Sequence, residues 1–187
     1  MMGETYSESG DDRMKESNIV LIGMAGTGKS TVGKLVAAKL GWTFVDTDEA
    51  IEREYGVSIA TLFAEKGEPA FRLLETEAIR ACLAGRKQVV ATGGGAVLAE
   101  ANRKEMLEKG QVVALYAPPE VIIDRVRFDS SRPLFQGNVE ERVRALWEQR
   151  KHAYDFADST FDTSDYSAEQ IAEQIAERLK NGTGLKA

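Results

Sequence analysis

Nine residues near the start of the chain, GMAGTGKST at 23–31, have the types and the spacing to hold a phosphate. Backbone N–H groups surround a phosphate only where side chains leave the approach open, and Gly23, Gly26 and Gly28 supply that clearance. The segment that follows has a helical pattern, so its positive end faces the anion. Lys29 has the reach for β- and γ-phosphates, and the Ser30 hydroxyl is a ligand type for Mg²⁺. Read only as local structure, the stretch is a turn between a strand and a helix. The complete motif, with an apolar run before it and a helical pattern after it, favours the phosphate.

Three further constellations follow. In DTD, Asp46 and Asp48 sit directly after a second strand-like run, at the carboxyl end where parallel sheets bind ligands. One carboxylate can hold Mg²⁺ through water while the other accepts a proton from an attacking hydroxyl. The competing interpretation is an acidic cluster at a helix N-terminus. In FRLLE, Arg72 and Glu75 share a helix face. They are either a surface ion pair or an arginine oriented by Glu75 to present its fork to a carboxylate. In TGGG, glycines 93–95 end a third strand and offer backbone N–H groups to a ligand. A plain turn would need fewer glycines.

The elements that must position these groups alternate between strand and helix. Apolar runs predict strands at 18–22, 42–45, 88–91, 111–116 and 159–162. Helical patterns fill 29–40, 47–55, 58–84 with a break near Gly67 and Pro69, 99–109, Pro119 to about Phe128, and 139–155. The last helix opens with the capping box Ser167-x-x-Gln170, carries Ile171, Ile175 and Leu179 on one face, and stops at Asn181 and Gly182. Such alternation predicts an α/β fold, a mostly parallel sheet with helices on both faces. Residues 129–138, polar and containing glycine and proline, are the expected mobile loop.

Bulk properties narrow the partners. The 187 residues fit one domain, and a hydrophobic share of 43% is enough for a core. A net charge of −6 with no basic stripe argues against gripping nucleic acid. No apolar run is long enough to span a bilayer, so no membrane partner is expected. The single cysteine, Cys82, fits a reducing compartment, and a cytoplasmic location is expected. Residues 1–16 are polar and acidic, without the apolar stretch of a secretory signal, and are expected to be a disordered tail. Residues 17–180 form the expected domain and 181–187 a C-terminal tail. His152 reads as a surface residue, and Trp42 and Trp147 as packing residues.

In order along the chain, these motifs resemble shikimate kinases: G-x-x-G-x-G-K-S-T at 23–31, D-T-D at 46–48, F-R-x-x-E at 71–75, G-G-G at 93–95, R-P-L at 132–134, and an arginine four before a tyrosine at 150–154. The resemblance covers about 17–180. It implies a three-layer P-loop kinase fold with a five-stranded parallel sheet in the order 2-3-1-4-5 and a lid at about 128–138. It implies ATP- and Mg²⁺-dependent phosphorylation of the 3-hydroxyl of shikimate by a monomer. Gly26, Thr27, Gly28, Lys29, Ser30 and Thr31 would hold ATP. Ser30, with Asp46 through water, would serve the metal. Asp48 would contact the reacting hydroxyl and act as base. Arg72 and Arg150 would clamp the substrate carboxylate, with Gly94 and Gly95 contacting the substrate through N–H groups. Arg125 would lie against adenine, and Arg132 would be the catalytic lid arginine over the transferring phosphate. Two local differences stand out: Phe135 follows R-P-L where members often carry leucine, and 150–154 reads RKHAY where members read R-x-P-L-Y. Two other readings compete. One is a same-fold kinase for gluconate, homoserine or a nucleoside monophosphate. The other is a non-catalytic nucleotide-binding module, against which Lys29, Asp48 and Arg132 all speak.

Overall fold

A computed structural model describes residues 18–127, 138–181 and 184–185. The expected tail at 1–16 and all but Asn138 of the expected lid, including Arg132 and Phe135, lie outside the described residues.

Strand β1 (Asn18–Ile22) is buried along its whole length. A strand covered on both faces reads as an unbroken apolar run, and NIVLI does. Helix α1 (Lys29–Leu40) follows the glycine loop and ends at Gly41, whose φ of 67° is the left-handed conformation that stops a helix. Strand β2 (Thr43–Asp46) starts one residue later than the apolar pattern suggests. Trp42 is still part of the helix stop, its N–H bonded to the Ala37 carbonyl at 2.9 Å. Helix α2 (Thr47–Tyr55) and helix α3 (Ile59–Leu83) come next. Gly67, at φ 77° and ψ 167°, breaks α3 where Lys66-Gly67-Glu68-Pro69 removes both helical φ/ψ and an N–H donor.

Strand β3 (Gln88–Ala91) leads through the glycine turn into a 3₁₀ turn (Ala96–Leu98) and helix α4 (Glu100–Lys109). Strand β4 (Gly110–Tyr116) precedes helix α5 (Pro119–Val126), whose first residue is a proline with no N–H to lose. Helix α6 (Val139–Arg150) is capped by the Asn138 side chain. It is shorter than its charged pattern predicts. After Arg150 the chain makes overlapping tight turns, Ala153 N–H to Arg150 O at 2.8 Å and Ala157 N–H to Tyr154 O at 3.1 Å. Strand β5 (Ser159–Asp162) and helix α7 (Ala168–Lys180), with its capping box, complete the order.

All five strands are parallel, in the order β2-β3-β1-β4-β5. Side chains alternate across the sheet. Val20 and Ile22 face a core with α3, α4, α5 and α6 residues such as Ile79, Met106, Ile122 and Val143. Ile19 and Leu21 face the other, with Val32 and Val36 of α1 and Ile171 and Ile175 of α7. Leu185 is buried in that second core, and its N–H bonds the Gln111 side chain at 2.8 Å, so packing continues past α7. A smaller cluster, Ile51, Leu62, Phe71 and Ala78, ties α2 to α3 beside the site. β1 and β3 are adjacent, so the phosphate loop and the glycine turn emerge side by side at the carboxyl edge.

Candidate active site

The glycine loop has the shape a phosphate needs. Gly28 takes φ 90°, and a Cβ built on it would meet nothing within 4 Å, so the loop opens to a free volume there. Gly23, at φ 142°, has no such room, since a Cβ would fall 2.3 Å from the Leu115 carbonyl oxygen. No side chain caps the start of α1, whereas α2, α3, α6 and α7 each receive a side-chain cap. The first N–H groups of α1 therefore remain for an anion. The Lys29 ammonium donates to the carbonyls of Gly23 at 2.8 Å and Met24 at 2.9 Å, which pins it across the loop. These features fit a nucleotide phosphate group.

In DTD the helix N-terminal reading is visible in the structure, and the geometry leaves the catalytic one open. Asp46 caps α2, one oxygen accepting from the N–H groups of Asp48 (3.0 Å) and Glu49 (3.4 Å). Its other oxygen accepts from the Ser30 hydroxyl at 2.8 Å, which brings together the two residues expected at the metal. A pair of protein oxygens suits Mg²⁺, which keeps water and phosphate oxygens as its other ligands. Asp48 is pushed up to about 6, first by burial, then by the Asp46 and Glu75 carboxylates, with Lys29 opposing. That places the carboxyl within reach of neutral-pH proton transfer.

One cavity of about 590 Å³ joins the two sides. Gly28, Lys29 and Ser30 of the phosphate loop line it together with Asp48, Gly94 and Arg150. Arg150, the last residue of α6, is 8% exposed, and its Nε has no hydrogen-bond partner among the described residues. A largely buried guanidinium lining this cavity suits an anion.

Arg72 stands just behind that wall. Its Nη1 donates to the buried Glu75 at 2.8 Å and its Nη2 to the exposed Glu68 at 2.9 Å. Burial pulls its pKa down, but Glu75 more than offsets this and holds it above the usual value. The guanidinium carbon lies 5.8 Å from the Phe63 ring centre and 5.6 Å from that of Phe71. Gly95 lies directly against this fork: a Cβ there would come within 2.5 Å of Arg72 Nη2.

A second cavity of about 400 Å³ opens on the other side of the loop, lined by Gly26, Thr31, Arg125, Thr163 and Tyr166 among others. Arg125 is braced there, donating to the Thr163 hydroxyl at 2.8 Å and the Thr163 carbonyl at 2.6 Å. Thr27 is buried beneath the loop, its hydroxyl on the Met24 carbonyl at 2.8 Å. His152 is exposed and pairs with Asp155, while Trp147 packs against the core and bonds the Ala117 carbonyl at 3.3 Å. Trp42 packs against the second core.

Some site residues carry no motif. Phe63 and Leu146 line the main cavity, and so do Glu49 and Glu52. Thr47 accepts from the Gly93 N–H at 3.2 Å, and Tyr154 donates to the Gly94 carbonyl at 2.8 Å. Only the position of Thr47 inside DTD, and the Arg150–Tyr154 spacing, hinted at them.

A family model described as shikimate kinase matches residues 25–180. A shikimate kinase of Thermodesulfovibrio yellowstonii is 46% identical over 169 residues, covering 88% of this chain and 98% of that one. Among solved structures, a shikimate kinase of Acinetobacter baumannii in complex with shikimate superposes with a TM-score of 0.84 at 38% identity, over 91% of this chain and 96% of that one. A gluconokinase of Sinorhizobium meliloti shares the fold alone, with a TM-score of 0.54 at 19% identity over 88% and 96%.

Proposed function

This chain belongs to the shikimate kinase family, and from that premise we propose that it transfers the γ-phosphoryl group of ATP to the 3-hydroxyl of shikimate. The observation that carries the reading is that Lys29, Ser30, Asp48 and Arg150 all line one cavity. A donor held by the loop and an acceptor held by the far wall meet inside it, which converts an encounter in water into a positioned reaction.

The glycine loop and the uncapped start of α1 bind the phosphates, with Gly26, Thr27, Gly28 and Thr31 shaping the cradle. Lys29 swings from its carbonyl partners to the β- and γ-phosphates. Ser30 and Asp46 hold Mg²⁺, Asp46 through water. When bound, the metal neutralises charge on the transferring group. Asp48 accepts the proton of the attacking hydroxyl. Arg150, which lines the cavity, takes the acceptor's carboxylate. Arg72, still oriented by Glu75, exchanges Glu68 for the same carboxylate. The N–H groups of Gly94 and Gly95 complete the acceptor side. Arg125 presents its braced plane to adenine, and Arg132 adds charge over the phosphoryl group. An acceptor lacking the carboxylate leaves the buried Arg150 without an anion while Arg72 keeps Glu75 and Glu68, so such analogues bind more weakly. The corresponding proposal for assembly and location is a monomer acting in the cytoplasm.

Incubation with ATP, Mg²⁺ and shikimate, followed by phosphorus NMR, tests the reading. One phosphate monoester coupled to one ring proton should appear for each ADP formed. Inorganic phosphate in place of the monoester would sink it.

A further inference from the structure

Gly94 is held from three sides. Its neighbour Gly93 donates its N–H to the hydroxyl of Thr47, which is fully buried, at 3.2 Å. Its own carbonyl accepts from the Tyr154 hydroxyl at 2.8 Å, across 60 residues of sequence. Its Cα packs on the phosphate loop so closely that a Cβ would sit 3.1 Å from the Ala25 nitrogen. Tyr154 itself is 9% exposed, and burial pushes its hydroxyl up to about 12 against the pull of Arg150, so it stays a donor. It lies in the tight turns that directly follow Arg150.

We propose that Tyr154 is a positioning residue for the acceptor: its hydroxyl fixes the Gly94 peptide and thereby holds the glycine turn and the Arg150 turn in one register. This rests on the reading that shikimate occupies the cavity. A glycine turn has little conformational preference of its own, so its orientation must be imposed by its bonds. The Ala96 N–H closes the turn on the Gly93 carbonyl at 3.1 Å, and the Tyr154 bond at the Gly94 carbonyl ties the turn to the segment after Arg150. The tight turns after α6 are what carry Tyr154 there, because a helix continued past Arg150 would take the ring elsewhere. The short RKHAY segment therefore serves both ends of the acceptor: Arg150 meets it directly, and Tyr154 orients the backbone that meets it.

The test is Tyr154→Phe, which keeps the buried ring and deletes only the donor. The KM for shikimate should rise about tenfold while the KM for ATP stays close to the parent; the thermal midpoint should drop by a few degrees, since a buried acceptor loses its partner. A merely structural role would give the same drop but move both KM values together, and that result would overturn the inference. A shikimate KM within about twofold of the parent would overturn it as well, at the usual threshold for a lost hydrogen bond. Absence of shikimate turnover in the parent is a separate outcome: it would remove the acceptor reading, and the inference with it.

Discussion

At the residue scale the proposed chemistry rests on Asp48, whose raised pKa has two consequences of opposite kind. As a base it must be ionised, so kcat/KM for shikimate should fall as pH drops through about 6. Asp48→Asn should lower kcat by at least about 10²-fold, leave ATP affinity nearly intact and erase that acid limb. A pH–rate series on both proteins checks this. The same shift also governs stability. The folded value of about 6 lies above the ordinary 3.8, so the group contributes stability that is full below about 4 and lost as pH rises through about 6. Asparagine carries no charge to bury, so Asp48→Asn should be more stable than the parent by about 1–2 kcal/mol at pH 8, with the gap closing toward pH 4. Urea titrations at the two pH values measure it. An inactive variant that is more stable at pH 8 is the signature of a carboxylate kept for its reactivity rather than its packing.

At the scale of elements, the glycine turn and the start of α3's second segment work as a unit. Gly95 has an ordinary φ of −97°, so alanine would fit its backbone; what it lacks is room beside the Arg72 fork. Gly95→Ala should therefore displace Arg72, raise the KM for shikimate several-fold to about tenfold, and leave the ATP KM and the fold unchanged. Initial rates with each substrate varied in turn separate the two. Much of this arrangement was legible in the sequence. The strand–loop–helix of the phosphate grip, the break at Gly67 and the capping box of α7 all follow from local chemistry. What was not legible depends on distant partners. The charged stretch after Arg150 has no helix breaker, so its turns appear only once Tyr154 meets Gly94. The 3₁₀ turn at Ala96–Leu98 is too short to show a period. Arg72's packing against Gly95 and two aromatic rings joins separate segments, and no spacing within FRLLE announces it.

At the scale of the whole molecule, the sheet exists to hold two loops in line. β1 and β3 are adjacent, and their carboxyl ends deliver the phosphate loop and the glycine turn to the same cavity. The helices on both faces keep that edge fixed. The start of α7 lines the second cavity with Ala168 and Ile171, and the helix buries Ile171, Ile175 and Leu179 in the second core. Ile175→Ala should cost about 2–5 kcal/mol in a denaturant titration, while the folded fraction keeps the parent's KM values. A drop in kcat/KM without a drop in stability would show that α7 reaches the site in some other way. The strand order could not be read from periodicity, which is local; it came from the ordered set of motifs and agrees with the sheet found.

The most direct test of the account is steady-state ADP release from ATP–Mg²⁺ with shikimate as acceptor, beside parallel reactions with gluconate, homoserine, AMP and no acceptor. The account predicts turnover with shikimate far above every other reaction. Equal or greater turnover with another acceptor, or with none, would contradict it.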